Sequence, residues 1–218
     1  MPDFSILTNN IDMYLEGFKY TVMSSVIALI GGFILGVILA VMRIAPIRIL
    51  NWVGSAFVEF VRNIPLVLIA FIFYFALPVI GITLNGFVAG TVTLTVYTAA
   101  FIAEVIRAGI LSVAKGQMEA ARSSGLTYVQ AMYYVVLPQA VKIVIPPLGN
   151  QFLNLVKNSS ILGIIAGADL MYQGDLISTK TFVTFDVYIF VGMFYLILTI
   201  PLSMLVRYLE KRLAKEAV

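Results

Sequence analysis

Five long apolar stretches, each closed by charge or proline, divide the chain. A helix that crosses the hydrocarbon core needs about 20 mostly apolar residues. The first stretch, residues 20–42, ends at Arg43 and is followed by Pro46. Inside it Gly32 and Gly36, with Gly31 beside them, make a smooth face that predicts close packing on another helix. The second stretch, 53–78, is interrupted by Glu59, Arg62, Asn63 and Pro65. Pro65 has no amide hydrogen and disfavours helical backbone at Ile64, so a break is predicted near 63–65. The third, 87–110, is rich in threonine and small residues and carries Glu104 and Arg107. The fourth, 138–171, is too long for one simple span, and Lys157, Asn158, Ser159 and Ser160 cut it near its middle. The fifth, 187–206, runs into the basic tail Arg207, Lys211, Arg212 and Lys215. The pattern predicts an all-α integral membrane protein: one transmembrane domain over 1–218, five spans, and a polar interruption at 111–137.

Composition agrees and narrows the chemistry. At 61% hydrophobic and 11% charged residues the chain is too apolar for a soluble domain. It has no cysteine and no histidine, which excludes disulfides, thiol nucleophiles, Ser-His-Asp triads and the usual zinc sites, so no metal site is expected. No G-x-x-x-x-G-K-[ST] occurs, so nucleotide hydrolysis has to come from another polypeptide and the chain itself is not expected to be an enzyme. Residues 1–14 carry Asp3 and Asp12 without a basic start, unlike a cleaved signal, and the first span is expected to direct insertion.

A net charge of +3 gathered at span ends gives no support for nucleic-acid binding and instead reports orientation. With the amino terminus outside and the carboxyl terminus inside, the inner side holds Arg43, Arg48, Arg107, Lys115, Arg122, Lys142 and the basic tail. The outer side keeps Lys19 and Lys180, with Arg62 and Lys157 at membrane depth. This satisfies the positive-inside rule and puts the polar interruption in the cytoplasm.

Polar groups at membrane depth are costly, about 2.5–3.5 kcal/mol each for charged ones on insertion scales, and need a partner or a polar cavity. Three clusters qualify. In the first, Glu59 and Arg62 are spaced to neutralise one another, while the break at Asn63, Ile64, Pro65 and Leu66 would aim free backbone N–H groups of a new half-helix at a substrate carboxylate. The second places Tyr97 about two turns before Glu104 and Arg107 one turn after it. Two readings stand for Glu104: a structural pair with Arg107, or the counter-charge for a substrate α-ammonium. The third offers the neutral donors and acceptors Asn154, Asn158, Ser159 and Ser160 at the cut in the fourth stretch. Asp169, Asp175 and Asp186 are expected near the outer face as solvated residues, and Tyr128, Tyr133 and Tyr134 as interfacial anchors.

The polar interruption reads Glu119-Ala120-Ala121, three residues, Gly125, nine residues, Val135, and then Leu137-Pro138. The alanines favour a short helix, Glu119 suits a helix first turn, and Gly125 can supply the left-handed residue that ends it. This spacing resembles the EAA loop in the membrane subunits of bacterial ABC importers. The stretch from Arg62 through Pro65 and Leu66 resembles the Arg-x-x-Pro-Leu region of polar-amino-acid permeases. Tyr97, Ala99, Ala103, Glu104 and Arg107 are similar to a second pattern of that family, and Lys157 to Ser160 to a third.

The resemblance covers nearly the whole chain and implies the type I ABC importer permease fold, five transmembrane helices with a cytoplasmic coupling helix. Glu119, Ala120, Ala121, Arg122, Ser123 and Gly125 would then dock on separate ATP-binding cassette subunits. It further implies a second permease subunit, identical or homologous, and an extracytoplasmic amino-acid-binding protein, all in the bacterial cytoplasmic membrane. No cofactor is implied in this chain; ATP with Mg²⁺ would belong to the ATPase partner. Asn158 stands where some members carry aspartate, which favours glutamine or glutamate over cationic amino acids. An ion-coupled secondary transporter is the alternative, since broken helices and an intramembrane carboxylate occur there too.

Overall fold

The second apolar stretch is broken where proline dictates. In the computed structural model, which describes residues 3–215, helix α3 (Arg48–Asn63) stops at Asn63 and α4 (Leu66–Phe71) starts at Leu66. The two directions, Arg48–Asn63 and Leu66–Ile80, differ by 106°. Ile64 and Pro65 between them have extended ψ values of 136° and 137°, as a residue before proline and a proline cap require. Met1 and Pro2, which belong to the amino-terminal reading, and the side chain of Lys215 lie outside the described residues.

The other elements follow in order: α1 (Phe4–Asn9), α2 (Ile11–Ile44), α5 (Gly86–Ser112), α6 (Lys115–Ser123), α7 (Tyr128–Ala131), α8 (Leu137–Asn158), α9 (Leu170–Thr181) and α10 (Phe185–Lys215). Four helical segments among the described residues are long and apolar enough to cross a membrane, and five if the bent pair counts as one span. The first span is longer than its apolar core predicts, because α2 begins at Ile11 and carries Asp12 and Glu16 on exposed positions. Helix α9 was not legible as an element; its residues mix small, polar and apolar types without a clear period.

Helix α5 is the centre of the bundle. Gly31 and Gly36 of α2 lie against it: a Cβ at Gly36 would come within 2.7 Å of Ile102 Cγ2, and one at Gly31 within 3.0 Å of Thr95 Cγ2. The small-residue face therefore packs helix on helix, as its sequence predicts. The same contacts make α2 and α5 parallel, so their carboxyl ends share one end of the bundle with α6. Threonines in α5 bury their hydroxyls cheaply: Thr91, Thr93 and Thr95 donate Oγ1 to carbonyls one turn back at 2.7–2.8 Å.

Two prolines leave matching signatures. Pro78 and Pro138 cannot donate to the carbonyl one turn earlier, and the helix widens ahead of each into a π turn, at Ile72–Ala76 and Met132–Val136. The fourth span changes at the predicted polar cut, α8 passing into a 3₁₀ stretch, Ser159–Ile165. Tyr128, Tyr133 and Tyr134 are exposed at the α6 end, consistent with anchoring positions.

Candidate functional site

Glu104 sits at the hub of an ion cluster that joins three helices. From α2, Arg43 Nη1 donates to Glu104 Oε2 at 2.5 Å, and its Nη2 donates to Glu59 Oε1 of α3 at 3.3 Å. From α5 itself, Arg107 Nη2 donates to Glu104 Oε1 at 2.7 Å and its Nε to Oε2 at 3.3 Å. Arg62 of α3 lies 3.5 Å from Glu104 Oε2 and 3.9 Å from Glu59 Oε1, with its guanidinium 5.5 Å from the centre of the Phe101 ring. Asn51 also donates to the Arg43 carbonyl, fixing the end of α2 on α3.

Both spacing-based pairs, Glu59 with Arg62 and Glu104 with Arg107, are therefore present. Sequence spacing did not show Arg43, which is distant in the chain and stood as a span-end residue, yet its side chain is only 6% exposed and completes the cluster. Both carboxylate oxygens of Glu104 already accept from guanidinia. A substrate ammonium could reach Glu104 only by displacing an arginine. The Tyr97 ring lies 4.8 Å from that of Phe101, the ring that Arg62 approaches.

A cavity of about 410 Å³ opens where the two interrupted spans meet, lined by Leu66, Val67, Asn158, Ser160, Met171 and Asp175 among others. Leu66 and Val67 are first-turn residues whose amides have no intrahelical acceptor. Of the predicted contacts, Leu66, Asn158 and Ser160 line this space. Ser159 is fully buried and donates to the Val156 carbonyl at 2.8 Å, and Asn63 donates to the Glu59 carbonyl at 2.7 Å; neither lines the cavity. Ile64, Pro65, Tyr97, Glu104 and Asn154 are also outside its lining. Asp175, read from sequence as a solvated outer residue, does line it. A larger crevice of about 580 Å³ between α2, α8 and α10 is walled by aliphatic and aromatic side chains such as Leu29, Phe33, Phe152 and Leu205. It suits hydrocarbon and offers a zwitterion nothing.

The aspartates near the cavity have divided roles. Asp169 caps α9 by accepting from the Met171 and Tyr172 amides at 3.1 Å, and Thr21 Oγ1 accepts from the Leu170 amide at 3.0 Å. Burial outweighs these donors and pushes the Asp169 carboxyl up to about 7.

At the opposite end, α6 is short and exposed. Glu119, Ala120, Arg122, Ser123 and Gly125 face the open, while Ala121 packs inward at 7% exposure. Gly125 has φ +87°, and the Gly125 and Leu126 amides bond back to the Arg122 and Ala121 carbonyls at 3.1 and 3.3 Å. This is the glycine-terminated helix end that the sequence predicts. Glu119 itself lies in the second turn, because α6 begins at Lys115. A reciprocal cap between Thr127 and Gln130 starts the next helix, and Gln139 donates to Gln117 at 3.3 Å, tying the base of α8 to α6.

A broken span, a cavity at the break that sets amide, hydroxyl and carboxylate groups in a largely apolar wall, and an exposed helix between spans fit a multi-span transport subunit. The family model "Binding-protein-dependent transport system inner membrane component" matches residues 32–215, and the chain belongs to that family. It is 69% identical over 211 residues to "Probable glutamine ABC transporter permease protein GlnM" of Bacillus subtilis (strain 168), covering 97% of this chain and 98% of that one. The "Glutamine transport system permease protein GlnP" of Escherichia coli (strain K12) is 36% identical over 213 residues, with 97% of each chain covered. Among solved structures, one described as an amino acid ABC transporter with histidines superposes with TM-score 0.92 at 35% identity, covering 97% of this chain and 99% of that one. The chain is thus a multi-pass inner-membrane subunit of an ATP-driven importer with the type I permease fold, a transport component whose ATP hydrolysis takes place in a separate subunit.

Proposed function

We propose that this subunit passes glutamine, or a closely related non-cationic polar amino acid, through the cavity at the α3–α4 break. The carrying observation is that this cavity brings Leu66 and Val67 of one interrupted span together with Asn158 and Ser160 of another. Unpaired first-turn amides match a substrate carboxylate, and the neutral amide and hydroxyl match a polar uncharged side chain. The names of the two glutamine permease relatives support the same choice.

On this reading Glu119, Ala120, Ala121, Arg122, Ser123 and Gly125 form the knob received by an ATP-binding cassette subunit. A second permease subunit faces this one, and an extracytoplasmic binding protein delivers the amino acid. The amino terminus lies outside and the carboxyl terminus in the cytoplasm, which puts α6 and the basic tail on the ATPase side. ATP with Mg²⁺ stays in the partner. Glu104 serves the path from behind, by holding α2, α3 and α5 together, and Tyr97 and Asn154 lie outside the cavity wall.

The test is ATPase activity of the reconstituted complex with polar amino acids and the loaded binding protein, for native chain and Ala120→Glu. Stimulation of the native complex by glutamine, lost on placing a bulky charge at exposed Ala120, is the expected result. Equal stimulation of the variant would remove the docking role of α6.

A further inference from the structure

The cavity has a matched place for an amino acid's carboxylate and side chain, yet the carboxylate assigned to the ammonium from sequence is occupied. Glu104 is held by Arg43 and Arg107, approached by Arg62, and absent from the cavity wall. Asn158 is neutral. Asp169 spends its oxygens on the cap of α9. A zwitterion entering a low-dielectric site with only its negative end matched would leave its ammonium desolvated and unpaired, which is strongly unfavourable.

One carboxylate does line the wall. Asp175 is partly buried on α9, and among the described residues no lysine or arginine forms an ion pair with it. Tyr188 of α10 donates its hydroxyl to Asp175 Oδ1, which orients the group, while Oδ2 has no donor among the described residues. A partly buried carboxylate with one oxygen oriented by Tyr188 and no donor on the other is placed to accept from an ammonium group. The cavity beside it also holds Leu66, Val67, Asn158 and Ser160, the groups that suit the rest of an amino acid.

We propose that Asp175 receives the α-ammonium group of the transported amino acid in this cavity, with Tyr188 as the residue that positions it. The inference rests on the amino-acid path proposed above and supplies the group that path lacks. It also predicts stereochemical and chemical selectivity within the membrane subunit: a ligand without an α-ammonium forfeits the Asp175 contact whatever its side chain.

The experiment measures equilibrium binding of radiolabelled L-glutamine to the purified complex with its ATPase subunits, without binding protein. Glutaramate, which is glutamine lacking the α-amino group, is the competitor. Asp175→Asn keeps an oxygen for the Tyr188 hydroxyl and removes only the charge, so the wall is preserved. The native complex prefers glutamine, and Asp175→Asn weakens glutamine about tenfold or more, the size of a lost charge-assisted hydrogen bond, while glutaramate changes by less than about threefold. Asp175→Glu, which restores the charge one methylene further out, recovers part of the preference. Glutamine binding by Asp175→Asn within about twofold of native overturns the proposal, as does an equal loss for both ligands, which marks a merely structural role. A native complex that binds neither glutamine nor any other polar amino acid overturns the transport path proposed above, and this assignment with it.

Discussion

Replacing Glu104 by glutamine keeps the volume of the side chain and removes its charge, which isolates the hub of the ion cluster. The native cluster holds three guanidinia against two carboxylates; the variant leaves three against Glu59 alone. Arg43 suffers most, because its side chain is only 6% exposed and its Nε already lacks a partner. Removing one member of a fully buried pair costs about 3–5 kcal/mol, and the 21% exposure of Glu104 lets water recover part of that. A loss of about 2–4 kcal/mol is expected, which for a chain of this size lowers the melting temperature by roughly 5–15 °C. The assay is thermal unfolding of the detergent-purified complex followed by size-exclusion chromatography. Adding Arg43→Gln should return part of the loss, since the two residues are directly coupled. The folded fraction should keep its apparent affinity for the transported amino acid, because Glu104 does not line the cavity. Melting of Glu104→Gln within about 2 °C of native, or full additivity with Arg43→Gln, would refute the hub argument.

Further outcomes follow from single positions. The Asp169 carboxyl is raised from 3.8 to about 7 by burial, so the folded state binds its proton more tightly than the unfolded state; that stability is fully present below about pH 4 and lost as pH rises through about 7. Thermal scans between pH 5 and 8 should show the decline, and Asp169→Asn, which keeps a capping oxygen, should flatten it. Gly36→Leu should abolish monodisperse protein on fluorescence-detected size-exclusion, because a Cβ alone meets Ile102 at 2.7 Å, whereas Gly192→Ala, with nothing within 4 Å, should elute like native. Thr127→Ala removes the reciprocal cap with Gln130 and should cost about 1 kcal/mol, read as a small fall in melting temperature.

What the sequence revealed was local in origin. Pro65 determines its own φ and restrains Ile64, so the break could be placed within residues 63–65. Gly125 and the Gly31–Gly36 face were equally readable, because each expresses a constraint that acts within one helix turn or along one helix face. The fate of Glu104 was not readable in this way. Spacing offered Arg107 one turn away, but Arg43 approaches from a helix 61 residues earlier, and only packing of α2 on α5 and α3 brings it there. Asp175 was missed for the same reason: α9 has no period that reveals it as a helix, so nothing indicated which of its faces would meet the break.

Long-range contacts also explain how the chain tolerates a broken span in a membrane. A bend of 106° would let α3 and α4 drift as separate pieces unless each is tied to the bundle on its own side of the break. On one side Glu59 and Arg62, within a turn of Asn63, are bound through Arg43 and Glu104 to α2 and α5. On the other, Ile69 and Ala70 are buried in two apolar clusters, beside Ala99 and Ala100 in one and Ala89 and Ile165 in the other. The charged tie stands next to the α6 end, since α5 runs from Glu104 only to Ser112 before Val113 and Ala114 lead into α6. Less than three turns of α5 separate α6 from the charged tie of α3, while α4 is held separately by apolar contacts. The break is thus a place in the path where relative movement needs no helix to bend.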